Sequence, residues 1–157
     1  MNNITYHKAT QNDVATLVDN RIAFALELSG EQDPEVIVAL KKQMTGYFSK
    51  ATTENTCISF IAKCDGEVAG IGSVHVREQP GNIKNPTGKW GYIMNMYTLP
   101  AFRRKGICKG LLDALIEDAG KSGITAFELH ATNEGELVYR QSNFELHNEP
   151  TYRKYIR

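Results

Sequence analysis

The chain has 157 residues, with 18 Lys and Arg against 18 Asp and Glu, so its formal net charge is zero. An apolar share of 41% and a charged share of 23% are those of a globular chain and exclude intrinsic disorder, a collagen repeat and a disulfide-rich miniprotein. Such a chain buries roughly 70% of its unfolded surface in a single domain, expected here over residues 1–157, and zero net charge leaves no global field to recruit nucleic acid or a membrane.

Ile4 to Lys8 alternates and predicts a strand. Thr10 follows as a helix N-cap with Asp13 three residues on, and Val14, Leu17, Val18, Ile22, Ala25 and Leu28 recur at helical spacing. After a break at Ser29-Gly30, Asp33-Pro34-Glu35 supplies a capping aspartate, a proline in the first turn and an early acid. The second helix is expected to run to about Phe48. Cys57–Cys64 and Val68–Arg77 are β-rich runs joined by Asp65-Gly66, a hairpin signal. A Pro- and Gly-bearing loop, Glu78 to Lys89, precedes a strand over Trp90–Thr98. Ile107, Leu111, Leu112, Leu115, Ile116 and Ala119 mark one face of a third helix, ended by Gly123. A strand over Ile124–Ala131, a short helix over Gly135–Ser142 and closing strands over Phe144–Leu146 and Tyr152–Ile156 complete the reading. The pattern is α/β: a mixed sheet, antiparallel at its start, with a βαβ unit in its second half.

Cys57, Cys64 and Cys108 are far apart and odd in number, with no Cys-x-x-Cys pair. They read as reduced thiols of a cytoplasmic protein, with neither a metal site nor a disulfide framework. The polar start, Met1 to Lys8, does not resemble a signal peptide. No apolar run approaches the ~20 residues of a spanning helix.

The informative stretch follows the strand that ends at Thr98. Arg103, Arg104, Lys105 and Lys109 place four cations within seven positions at the start of the third helix. Amides there lack intrahelical partners and the helix dipole is positive, while Gly106 and Gly110 would let a ligand approach the main chain. This is either a pyrophosphate site or a solvated basic turn. Other phosphate and metal motifs fail. Gly120-Lys121-Ser122 has Leu115 where a P-loop needs glycine. Gly70-Ile71-Gly72 lacks a third glycine. His147-Asn148-Glu149-Pro150 is followed by no Cys-x-x-Cys.

Arg103-x-x-Gly106-x-Cys108 resembles the acetyl-CoA signature of the GNAT superfamily, Arg/Gln-x-x-Gly-x-Gly/Ala. Tyr92-Ile93-Met94-Asn95-Met96-Tyr97-Thr98 is similar to that family's central strand. Leu137-Val138-Tyr139-Arg140-Gln141-Ser142-Asn143-Phe144 resembles its later Leu-Tyr-x-x-x-Gly-Phe segment. The order of elements fits over nearly the whole chain. Three positions depart from the pattern. Cys108 replaces the last small residue, Asn143 replaces the glycine before Phe144, and Asn133 stands one residue nearer to Tyr139 than in many relatives.

The resemblance implies a GNAT-like N-acetyltransferase that moves an acetyl group from acetyl-CoA directly to a primary amine, without metal and without an acetyl-Cys108 intermediate. Two parallel strands would splay to admit the pantetheine arm. Main-chain groups of Met96, Tyr97 and Thr98 would hold its amides and polarise the thioester carbonyl. Amides from Arg103, Arg104, Lys105, Gly106, Ile107 and Cys108 would hold the pyrophosphate. Arg103, Arg104 and Lys109 would supply charge-assisted donors, and Asn133 is carried over as a cofactor contact. Tyr139 matches the family's tyrosine acid. A thiol of pKa near ~8.5 is not badly matched by a phenol near ~10. Folds of this family often form homodimers.

Positions 22 to 40 hold Glu27, Glu31, Asp33 and Glu35 and no Lys or Arg. They correspond by resemblance to the acceptor-binding helices and suit a cationic amine. Asp33 and Glu35 are also explained as helix-start residues, so Glu27 is the leading candidate for substrate contact or general base. Arg21 interrupts the apolar stripe of the first helix, either lying along that surface or binding a substrate carboxylate. His130 falls near the expected splay, either as a core histidine or as part of the site. Two rival functions remain: a non-catalytic CoA-binding regulator on the same fold, and a nucleic-acid module using the basic turn. Zero net charge and the lack of interleaved aromatics oppose the second.

Overall fold

The computed structural model of the protein describes residues 1–156. Five strands form one sheet in sequence order: β1 (Ile4–Lys8), β2 (Cys57–Cys64), β3 (Glu67–Glu78), β4 (Lys89–Thr98) and β5 (Phe127–Leu129). The first four pair antiparallel, and β4 pairs β5 in parallel. Helices α1 (Val14–Ser29) and α2 (Pro34–Glu54) cover one face, and α3 (Ile107–Lys121) covers the other. A short helix, α4 (Glu136–Gln141), follows β5. This is the mixed α/β sheet expected, with β4-α3-β5 as its βαβ unit.

Local chemistry accounts for the element ends. Thr10 and Asp13 close a reciprocal capping box, which satisfies two amides that the helix start leaves unpaired. Asp33 accepts from the Glu35 amide at 2.8 Å, with Pro34 in the first turn of α2. Asp65 and Gly66 have φ of 51° and 89°, the double left-handed turn that matches strand twist in a tight hairpin.

Leu17, Val18, Ile22, Phe48 and Ile61 form a core beneath α1 and α2. Leu112, Leu115, Ala119, Val74 and Ile93 form another beneath α3. Burial of such aliphatic side chains contributes about 1.5–3 kcal/mol each before entropy is subtracted.

Three expectations are corrected. Helix α2 continues past Phe48 to Glu54, because Met44, Phe48 and Ala51 extend one buried stripe. The strand expected over Ile124–Ala131 shrinks to Phe127–Leu129. Ile124 instead packs into the α3 core, its amide donating to the Ala119 carbonyl at 3.3 Å. The closing strands over Phe144–Leu146 and Tyr152–Ile156 are not formed. Phe144 turns inward against the Tyr139 ring at 6.0 Å, whereas Leu146, Tyr152, Tyr155 and Ile156 remain exposed. No described strand lies beyond β5 to pair with them.

Candidate active site

The site begins with an irregularity in β4. Ser73 of β3 pairs with Met94 and Ile71 with Tyr97, so Gly72 alone faces both Asn95 and Met96. That two-against-one count is a β-bulge. Asn95 supplies the left-handed residue it needs, with φ 60°, and asparagine adopts that region more readily than most residues. Gly72 stands opposite, where a Cβ would come within 2.6 Å of Met96 Sδ and 2.9 Å of Leu115, so those side chains would have to shift. The Asn95 side chain is 4% exposed, and neither its oxygen nor its nitrogen has a hydrogen-bond partner. A buried unpaired amide of this kind costs about 1–3 kcal/mol.

Pairing between β4 and β5 spans only Gly91↔Phe127, Tyr92↔Glu128 and Ile93↔Leu129. Past Ile93 that edge of β4 has no strand partner. A cleft of about 680 Å³ opens there, lined by Met96, Tyr97 and Thr98 of β4, the basic turn, Asn133 and Tyr139.

The basic turn is bent by two left-handed residues, Arg104 at φ 63° and Gly106 at φ 78°. Alternating left-handed residues gather backbone N–H groups into an anion-binding concavity. No side chain caps Gly106, so the first amides of α3 stay available to a ligand in the cleft. These open donors, together with cations on the same turn, fit a pyrophosphate.

The expected site residues are thus largely brought together. Met96, Tyr97, Thr98, Arg103, Arg104, Gly106, Ile107, Cys108, Lys109, Asn133, Tyr139 and Glu27 all line one cleft. Lys105 does not; its Nζ sits 5.5 Å from the centre of the Phe102 ring. Gly110 does not face a ligand either. A Cβ there would run into the Tyr6 phenol of β1, so this glycine serves helix–sheet packing.

Sequence reasoning missed how Arg103 is used. Its guanidinium donates to both Glu27 oxygens, at 2.6 and 2.8 Å, and its Nε donates to the Thr98 carbonyl at 3.0 Å. It also lies 5.9 Å from the Tyr97 ring centre, and Tyr97 stacks on Phe24 at 5.3 Å. The Arg103 bond holds the Glu27 carboxyl below its ordinary range, with a smaller contribution from the Tyr97 hydroxyl. Burial, and then Glu27, raise the Tyr97 phenol. A carboxylate with lowered proton affinity and a bidentate partner is poorly suited to take a proton. Lys109 is partly engaged as well, 2.6 Å from Asp113.

Tyr139 is 9% exposed, and burial raises its phenol above the usual range, with Cys108 adding to the shift. It is therefore a protonated hydroxyl at neutral pH. Burial likewise pushes the Cys108 thiol up, which disfavours the nucleophilic thiolate. Asn143, with φ 64°, makes the left-handed bend where the family pattern has glycine. Among the described residues no group of three or more His, Cys, Asp or Glu gathers to hold a metal. Among the described residues no helix is long and apolar enough to cross a membrane.

Comparison with known proteins agrees with this geometry. The GNAT acetyltransferase family model matches residues 23–139, and the chain belongs to that family. A predicted acetyltransferase from Clostridium acetobutylicum, solved with acetyl-CoA, is 28% identical, with a TM-score of 0.86 over 97% of this chain and 96% of that one. A GCN5-related N-acetyltransferase from Ralstonia eutropha has a TM-score of 0.84 at 20% identity, over 97% and 99% of the two chains. A ribosomal-protein-alanine N-acetyltransferase from Brucella melitensis shares the fold at a TM-score of 0.70 and 18% identity, over 98% and 100%. Among curated proteins, none matches the chain.

Proposed function

We propose that the protein is an N-acetyltransferase that transfers the acetyl group of acetyl-CoA to a primary amine by direct attack. One observation carries the reading: a single cleft joins the unpaired edge of β4 beyond Ile93, the uncapped start of α3 and the Tyr139 side chain. The Clostridium relative that binds acetyl-CoA supports the choice of donor.

In this reading the amides of the basic turn and of the first turn of α3 hold the pyrophosphate, with Arg104 and Lys109 as nearby cations. Main-chain groups of Met96, Tyr97 and Thr98 hold the pantetheine and stabilise the carbonyl oxygen as it gains charge, an effect commonly worth a few kcal/mol. Tyr139 gives its proton to the departing thiolate. Glu27 orients Arg103 against β4 and presents negative charge to a cationic acceptor. Asn133, which lines the cleft, contacts the cofactor.

The test is a thermal-shift titration with acetyl-CoA, CoA and ATP, followed by amines with thiol-release detection. Ligand at about a hundred times its dissociation constant adds about 2.7 kcal/mol, or roughly 5–10 °C for a chain of this size. Stabilisation by acetyl-CoA and CoA but not ATP, then amine-dependent thiol release, is the expected result. No shift at millimolar acetyl-CoA rejects the reading. Stabilisation without turnover on any amine would favour a CoA-binding regulator.

A further inference from the structure

We propose that Tyr92 and His130 form the relay that takes the proton from the acceptor amine, with Tyr92 as the catalytic residue facing the amine and His130 as the positioning residue that receives the proton behind it. The proposal rests on the acetyl-transfer reading above.

The pair stands where the two parallel strands separate. Their last rung is Ile93↔Leu129. Tyr92 lies one residue before that rung and His130 one residue after it, and they join across it, with Tyr92 Oη 2.8 Å from His130 Nδ1. The rings meet edge to face at 5.7 Å. Tyr92 also pairs in register with His75, whose Nδ1 is 3.0 Å from the Tyr47 hydroxyl of α2. The relay therefore faces the side of the sheet that carries α1 and α2, at the last paired rungs before β4 and β5 part.

One tautomer of His130 gives the pair a direction, and the relay takes that tautomer. His130 Nε2 is 3.2 Å from Thr151 Oγ1. With Nε2 protonated and donating to Thr151, Nδ1 is free to accept the Tyr92 hydroxyl proton. The remaining lone pair of Tyr92 Oη is then available to an amine. The charged groups around the relay are Arg77 of β3, lying 5.2 Å from the Tyr92 ring centre, and Glu128 of β5, which pairs with Arg77 at 3.0 Å. The tail contributes the neutral Thr151 hydroxyl. No carboxylate sits among these residues without a cationic partner, so the imidazole is the proton acceptor at hand.

The protons balance. An ammonium acceptor must lose two. The first passes to Tyr92 Oη as the Tyr92 proton moves to Nδ1, and the resulting imidazolium, exposed to solvent, releases it to water. The free amine then attacks, forming the C–N bond. The C–S bond breaks, Tyr139 protonates the sulfur, and the second nitrogen proton restores Tyr139.

The experiment compares wild type, Tyr92→Phe and His130→Asn, using acetyl-CoA with methylamine and benzylamine across pH. Both variants are expected to bind acetyl-CoA with unchanged affinity and to lose about 100-fold in kcat near neutral pH. That loss should close as pH rises toward the pKa of the free amine, where no relay is needed. Unchanged profiles, or a loss equal at every pH, overturn the relay. Nitrogen-15 NMR of the histidines supplies a readout independent of turnover: His130 should carry its proton on Nε2, and a proton on Nδ1 in the neutral ring overturns the proposal. A wild type that does not bind acetyl-CoA removes the acetyl-transfer reading and the relay with it. Normal binding with unaltered variants removes the relay alone.

Discussion

Arg103 grips both carboxylate oxygens of Glu27 across 76 residues of sequence, at 2.6 and 2.8 Å. The bond fastens α1 to the turn that follows β4, at the cleft that both residues line. Both side chains are about one-third exposed, so the pair contributes only about 0–1 kcal/mol to stability. Its effect lies in placement.

Glu27→Gln is expected to change the response to acid. The folded pKa of Glu27 is lowered, so its contribution is fully present above the unfolded value near ~4.3 and is lost as pH falls through the folded one. Thermal melts of wild type should therefore lose up to about 1 kcal/mol more than the variant on acidification below pH ~5. Parallel melting curves for the two proteins would contradict the pairing.

Tyr139→Phe should lower kcat by about 10-fold or more while leaving the affinity for acetyl-CoA unchanged, because only proton donation is removed. Steady-state kinetics beside calorimetric titration separates the two quantities. Equal turnover would exclude Tyr139 as the acid.

Cys108→Ser should retain transfer within a few-fold. The raised thiol should also alkylate more slowly with iodoacetamide than a free cysteine at the same pH. Mass spectrometry after incubation with acetyl-CoA should find no acetyl group on Cys108. A trapped thioester would replace direct attack with a covalent route.

Gly110→Ala should destabilise without touching the chemistry. The new methyl would collide with the Tyr6 phenol, and overpacking of this kind costs about 1–3 kcal/mol. At about 2–4 °C per kcal/mol for this chain length, the melting temperature should fall by several degrees. Gly106→Ala is the contrast. A Cβ there meets nothing within 4 Å, but its φ of 78° disfavours any side chain, so acetyl-CoA affinity should fall with the loop's geometry.

Features set by neighbouring residues were legible in the sequence. The Thr10–Asp13 box, the Asp33-Pro34 start, the Asp65-Gly66 turn and the α3 stripe all depend on local backbone chemistry, and each forms as the residues imply. The motif from Arg103 to Cys108 likewise located the cleft, because an uncapped helix start is a local property. Features that depend on distant partners were not legible. Nothing beside Arg103 announces Glu27, and β-formers at Tyr152 to Ile156 cannot reveal that no strand lies next to β5. Asn95 is intermediate: a turn-favouring residue inside a β-rich run signals an irregularity, though not which strand it slips against.

That irregularity sets the phase of the second half of β4. If all ten residues of β4 kept strict alternation, Tyr97 would point toward α3 and Met96 toward α1. With the bulge, Tyr97 stacks on Phe24 and Met96 lies over Gly72. Deleting position 95 would remove the bulge and leave Met96 and Tyr97 on these same faces, whereas a regular strand that kept all ten residues would carry Tyr97 into the opposite core with every amino acid unchanged. The one-residue slip at Asn95, and not composition alone, decides which face of the sheet each later side chain of β4 takes.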